Sequence, residues 1–213
     1  EVGVDAGGVS REWYQVMSRE MFNPGISLFE AVPQGSSTYQ PNPNSIVQTD
    51  EARGISHLDY FKFVGHVVGK ALLDDQVIDA HFTRSFYKHM LGQPLTYRDI
   101  EGVDPDFFKN LTWMLENDID GVLDLTFSEE NDFFGQKSVI ELCPNGANVK
   151  VTDENKRDYV DAIARHRMTS AIQPQIHAFL EGFWNVLPRV SLQLFSDQEL
   201  ELMISGLPDV DVL

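Results

Sequence analysis

Asp104-Pro105-Asp106-Phe107-Phe108-Lys109-Asn110-Leu111-Thr112-Trp113-Met114-Leu115-Glu116-Asn117-Asp118 and the residues after it decide the fold class. Asp104 followed by Pro105 is a favourable helix start, because proline is tolerated in the first turn, where its missing N–H is not needed. Phe107, Leu111, Met114 and Leu115 then recur at helical spacing, and Glu116-Asn117-Asp118 breaks the pattern. Immediately afterwards the period changes. Leu123, Leu125 and Phe127 alternate with Asp124 and Thr126, as on a half-buried strand. Val139 to Leu142 and Val149 to Val151 flank Pro144-Asn145-Gly146, which predicts a hairpin. A helix followed by strand-period segments excludes an all-helical chain.

Outward from this stretch the pattern is helical on both sides. Val9, Trp13, Met17 and Met21 predict a first helix from about Val9 to Phe22, ended by Asn23-Pro24-Gly25. Leu28-Phe29 and Tyr39 flank the polar stretch Gln34 to Thr38, which suggests a short hairpin, and residues 41–55 read as a loop. Ser56 with Asp59 forms a capping box before the stripe Leu58, Phe61, Val64, Val68 and Leu72, within which Gly65 and Gly69 allow a second helix to approach closely. A third helix is expected from about Ile78 to Leu91, with Phe82, Phe86 and Met90 on one face and Gly92 and Pro94 as its stop. Beyond the mixed segment, Thr152 should cap a helix carrying Tyr159, Val160, Ile163 and Ala164. A further helix follows from about Ser170 to Val186, and a last one begins at Ser196 with Glu199 and stops at Gly206 and Pro208. The expected fold is therefore α+β: a mainly helical large subdomain (residues 1–93 and 152–213) with an inserted small subdomain (94–151) of helices and short antiparallel strands. Both ends, Glu1-Val2-Gly3-Val4-Asp5 and Pro208-Asp209-Val210-Asp211-Val212-Leu213, read as cuts within a longer protein.

The chemical inventory points to recognition rather than catalysis. A net charge of -17 argues against nucleic acid and anionic membranes as partners. It suits a basic protein partner, or serves solubility alone. Cys143 is the single cysteine, which favours a reducing compartment, the cytoplasm or the nucleus. No His, Lys or Arg lies within five residues of Cys143 to stabilise a thiolate. The six histidines form no zinc pattern, and the acidic pairs Glu129-Glu130 and Asp209 with Asp211 lack calcium-loop spacing, so no metal and no cofactor is expected. Gly3, Gly7 and Gly8 lack the lysine of a phosphate loop, and no serine sits in a nucleophile elbow.

Several segments, read as strings, resemble HECT-type ubiquitin ligases. Asp5-Ala6-Gly7-Gly8-Val9-Ser10-Arg11-Glu12-Trp13 is similar to the family's opening motif, Tyr60-Phe61-Lys62-Phe63-Val64-Gly65 to its second helix, and Phe82-Thr83-Arg84-Ser85-Phe86-Tyr87-Lys88 to its third. Leu115-Glu116-Asn117-Asp118, Leu125-Thr126-Phe127, Phe134-Gly135 and Asn145-Gly146 resemble the small subdomain. Phe179-Leu180-Glu181-Gly182-Phe183 and the run Glu199 to Gly206 resemble the closing helices. The resemblance covers essentially the whole chain and is nearest to the branch of very large ligases.

The resemblance implies an amino-terminal lobe that binds a ubiquitin-loaded conjugating enzyme. In the family, ubiquitin then passes to a cysteine on a carboxy-terminal lobe, in a stretch resembling His-Thr-Cys-Phe, and on to substrate lysines. This sequence has no such stretch, so no catalytic residue is expected in it, and Cys143 is not where the family keeps its nucleophile. The implied partners are the conjugating enzyme, ubiquitin, and substrates held by other regions of the parent. The implied conjugating-enzyme-binding set is Phe107, Leu111, Leu115, Asn117, Leu123 and Leu125, with Asn117 standing where some members carry a groove tyrosine. Lys156 reads as a remote surface position. The alternative is a non-enzymatic helical scaffold or interaction module that keeps the fold without the ubiquitin machinery.

Overall fold

Helix α1 (Gly8–Met21) is amphipathic, but of the expected stripe only its end, Met17 and Met21, meets the core. The computed structural model, which describes residues 8–32, 36–133 and 136–206, buries Tyr14, Ser18 and Met21 and leaves Val9 and Trp13 exposed. Both sets have helical spacing, so periodicity alone cannot choose between them. Tyr14 can bury its ring because its hydroxyl keeps a partner, donating to Asp74 Oδ2 at 2.8 Å. The opening motif before Gly8, the loop tip at Gln34, the pair Phe134-Gly135, the stop at Pro208 and the pair Asp209 and Asp211 lie outside the described residues.

Strand β1 (Phe29–Ala31) pairs antiparallel with β2 (Thr38–Pro41), placing Glu30 opposite Gln40, which is the expected hairpin. Ser56 starts α2 (His57–Leu73) through the full capping box with Asp59. The third helix begins later than its periodicity predicts. His81 and Phe82 form β3 (His81–Phe82), parallel to β2, and α3 (Arg84–Leu91) follows. The N–H groups of Ile78, His81 and Thr83 are taken by the carbonyls of Ile204, Ser37 and Tyr39, so long-range partners remove the donors that a helical start would use. Gly92, at φ 66°, closes α3 in the left-handed conformation that glycine adopts without strain.

The remaining elements are α4 (Pro105–Glu116), β4 (Ser128–Phe133), β5 (Gln136–Glu141), α5 (Lys156–Met168), α6 (Gln173–Val186), α7 (Arg189–Leu192) and α8 (Asp197–Ser205). The fold is α+β and mainly helical. No helix among the described residues is long and apolar enough to cross a membrane. The chain divides into two compact units, one from the stretches Glu1–Pro94 and Ile172–Leu213, the other from Leu95–Ala171.

The first unit is organised by α2 crossing α6. A side chain at Gly65 would place its Cβ 2.0 Å from the Phe179 carbonyl oxygen, and one at Gly182 would sit 2.0 Å from that of Lys62. Only glycine permits backbones this close. Around the crossing, Phe61, Phe86, Phe179 and Phe183 are almost fully buried, and Phe86 meets Phe179 edge-on at 4.8 Å. Helix α8 starts on the Ser196–Glu199 capping box. Its Ser205 hydroxyl shares a bond with Tyr87 at 2.9 Å and donates to the Ala80 carbonyl at 2.7 Å.

The second unit corrects the sequence reading in three places. Leu123 to Phe127 joins no ladder; Thr126 alone among them bridges, to Lys150. The pairing predicted between 139–142 and 149–151 does not form. Residues 149–151 bond to 125–127 instead, through Phe127 N to Val149 O and Val151 N to Leu125 O. The turn itself is present, with Gly146 N donating to Cys143 O at 2.9 Å. Gly146, however, is pressed so close to Phe127 that a Cβ would lie 2.2 Å from its carbonyl oxygen, and this steers the chain to 127 rather than back along 142. The hairpin is β4–β5, running from Ser128 opposite Glu141 to Phe133 opposite Gln136. Its polar run Ser128-Glu129-Glu130-Asn131-Asp132 carries no apolar alternation to announce a strand. Finally, regular α5 runs from Lys156 and Thr152 begins the turn that leads into it, its carbonyl accepting from Lys156 N at 2.8 Å and its N–H donating to the Asn155 side chain at 2.8 Å. Tyr159, Val160, Ile163 and Ala164 face the core of this unit, so residues 152–171, grouped with the helical body by the sequence, fall in the second unit.

Candidate functional site

Asp104 is the N-cap of α4, its Oδ1 accepting from Phe107 N at 2.9 Å, with Pro105 in the first turn. The helix then presents Phe107, Asn110, Leu111 and Met114 along one side, at spacings that place them one above another. After Asn117 the chain doubles back. Asp153 holds this return, accepting from Ile119 N at 3.0 Å and Asp120 N at 3.3 Å. Lys156 Nζ donates both to Asp153 Oδ1 at 2.8 Å and to the Asn117 carbonyl at 2.6 Å. Lys156 is therefore no remote surface position but half of a clasp. Lys156 first, and the Ile119 N–H second, hold the Asp153 carboxyl below the usual carboxylate range. Ile119, 1% exposed, anchors the loop, and Leu123 and Leu125 come back across α4.

Between α4 and this returning segment lies a cleft of about 290 Å³. Phe107, Leu111, Leu123 and Leu125 line it together. Leu111 is also core, at 1% exposure. The other two residues of the expected set are not in the lining. Leu115 is half-buried and packs into the core of the unit. Asn117 is the exposed C-cap of α4, its side-chain amide donating to Trp113 O at 2.8 Å. Asn110, Trp113, Met114 and Tyr159 complete the wall and were not in the expected set. Met114 belongs to the visible helical stripe, and Trp113 stands beside it at 44% exposure. A large aromatic off the buried stripe of an amphipathic helix is the signal that could have found it.

Behind the cleft sits an ionic cluster. Glu129 accepts from Arg167 Nε at 2.8 Å, and Arg167 lies over the Phe107 ring at 3.7 Å. Burial, and then the Glu129 charge, push the Tyr159 hydroxyl up, so it stays neutral at physiological pH. Burial pushes the His166 imidazole below its usual value despite the Glu129 carboxylate 3.7 Å away. Cys143 is half-buried against the core of the unit and does not line the cleft. The cleft is thus an apolar slot with one polar lip, suited to holding a side chain rather than to bond chemistry.

The HECT-domain (ubiquitin-transferase) family matches residues 15–213. The chain is 54% identical over 218 residues to the E3 ubiquitin-protein ligase UPL1 of Arabidopsis thaliana, covering 99% of this chain. It is 49% identical to HUWE1 of Mus musculus over 213 residues and 45% identical to TOM1 of Saccharomyces cerevisiae over 212, covering 100% of this chain in both. It spans only 5 or 6% of the length of these relatives, each named an E3 ubiquitin-protein ligase. On the family match and on identity along its whole length, this chain belongs to the HECT-domain family of ubiquitin transferases.

Proposed function

We propose that the cleft of the second unit docks a ubiquitin-conjugating enzyme for a HECT ligase. An apolar side chain of the enzyme fills the slot between α4 and residues 123–125. The observation that carries this reading is the convergence of Phe107, Leu111, Leu123 and Leu125, with the exposed ring of Trp113, on one cleft of about 290 Å³. Such a patch combines desolvatable walls with a polar rim, here the exposed Asn110. On this reading ubiquitin passes from the conjugating enzyme to a ligase cysteine other than Cys143, and then to lysines of substrates held by other regions of the parent protein.

Titration calorimetry of this chain against ubiquitin-conjugating enzymes, paired with hydrogen exchange, tests the reading. Expected is saturable binding with protection concentrated in α4 and residues 119–125. Binding that protects other segments and leaves these unchanged would reject it.

A further inference from the structure

We infer that Arg167 is a positioning residue for the cleft, holding the Phe107 ring in the orientation that a docked side chain meets. This rests on the docking reading above. The guanidinium carbon stands 3.7 Å from the centre of the Phe107 ring, a cation placed over the face of an aromatic. Phe107 lines the cleft and Arg167 does not, so whatever Arg167 does to a bound partner it does through that ring.

Arg167 is itself anchored on two sides. Its Nε donates to Glu129 Oε1 at 2.8 Å, and Nη2 lies 2.7 Å from the same oxygen. Nη1 donates to Asp104 Oδ2 at 3.3 Å. Asp104 is also the residue whose other oxygen accepts from Phe107 N at 2.9 Å. One carboxylate therefore fixes the main chain of Phe107 directly and its ring through Arg167. Glu129 lies on β4, Asp104 caps α4 and Arg167 lies on α5, so three elements of the unit meet at one guanidinium. Lysine could not replace it. A guanidinium can lie flat on a ring and present several N–H donors in a fixed fork, whereas an ammonium is a mobile point charge.

The test uses this chain with ¹³C-labelled phenylalanine rings and a ubiquitin-conjugating enzyme as titrant. Arg167→Lys is made alone and in a Phe107→Leu background. Expected in the single variant are displaced Phe107 ring resonances, other aromatic signals in place, and affinity weakened about threefold to tenfold. In the Phe107→Leu background the same substitution should add no further loss, because the ring through which it acts is gone. Glu129→Gln, which keeps Arg167 but loosens its anchor, should give the same ring signature at smaller size. Unmoved Phe107 resonances in both Arg167→Lys and Glu129→Gln overturn the inference. So does an affinity loss of equal size in both backgrounds, which marks Arg167 as a general staple. If the native chain binds no conjugating enzyme, the docking reading fails on its own, and the ring resonances, which need no partner, still decide whether Arg167 orients Phe107.

Discussion

Replacing Trp113 by alanine should separate docking from folding. The Trp113 side chain is 44% exposed on α4, where it borders the cleft. Its removal opens no interior cavity, and alanine favours the helix, so stability should change by no more than about 0.5 kcal/mol. If a partner side chain seats against that ring, the lost contact should cost about 2 kcal/mol of binding, close to thirtyfold in Kd. Leu111→Ala is the contrasting case. Leu111 lines the same cleft but is only 1% exposed and belongs to the buried cluster of the unit. Its truncation should cost about 3 kcal/mol of stability and lower Tm by about 10 °C. Weakened binding by Leu111→Ala would therefore say little by itself. Differential scanning calorimetry of both variants, beside titrations with a ubiquitin-conjugating enzyme, reads the two effects separately. Trp113→Ala with native melting and native affinity would refute the docking cleft.

Gly65→Ala should lower stability by about 3 kcal/mol, because its Cβ would stand 2.0 Å from backbone at Phe179; a loss below about 1 kcal/mol in urea unfolding would mean that α2 and α6 can part freely. Asp153 is held below its usual range by Lys156 and the Ile119 N–H, so its stabilisation is complete above the usual carboxylate range and fades as pH falls through it towards the lower folded value. The Tm gap between the native chain and Asp153→Asn should accordingly shrink from about pH 6 to about pH 3, and a gap that stays constant would contradict the clasp. With a net charge of -17, association with a basic face of the conjugating enzyme should slow as salt rises, mostly in the on-rate; a flat stopped-flow rate would leave the charge to solubility alone.

Local signals were legible wherever a short stretch contains its own explanation. The capping boxes at Ser56 and Ser196, the Asp104-Pro105 start, the Gly92 stop and the small residues at Gly65 and Gly69 all act within a turn or two of themselves, and they located α2, α4 and α8 and the close crossing of α2. The α+β class was read from an alternation at 123–127 that forms a single bridge, while the strand next to it, β4, carries no such signal. Ordered motif matches along the chain were enough for the family, since each string carries information that folding does not alter.

What depended on distant partners could not be read this way. The strand at His81 and Phe82 exists because Thr38 and Tyr39 lie beside it, and β4 because β5 does, although the composition of Ser128 to Asp132 argues otherwise. The buried face of α1 was settled by a bond from Tyr14 to Asp74, sixty positions away. In the cleft, helical period and the family resemblance together named Phe107, Leu111, Leu123 and Leu125. Tyr159 and the Arg167 behind them come from α5, and Leu115 and Asn117 turn elsewhere. Periodicity states which residues share a face of one element. Which faces meet, and which large side chain is left uncovered at their edge, is decided only when the chain closes on itself and long-range hydrogen bonds and packing choose among faces that are locally equivalent.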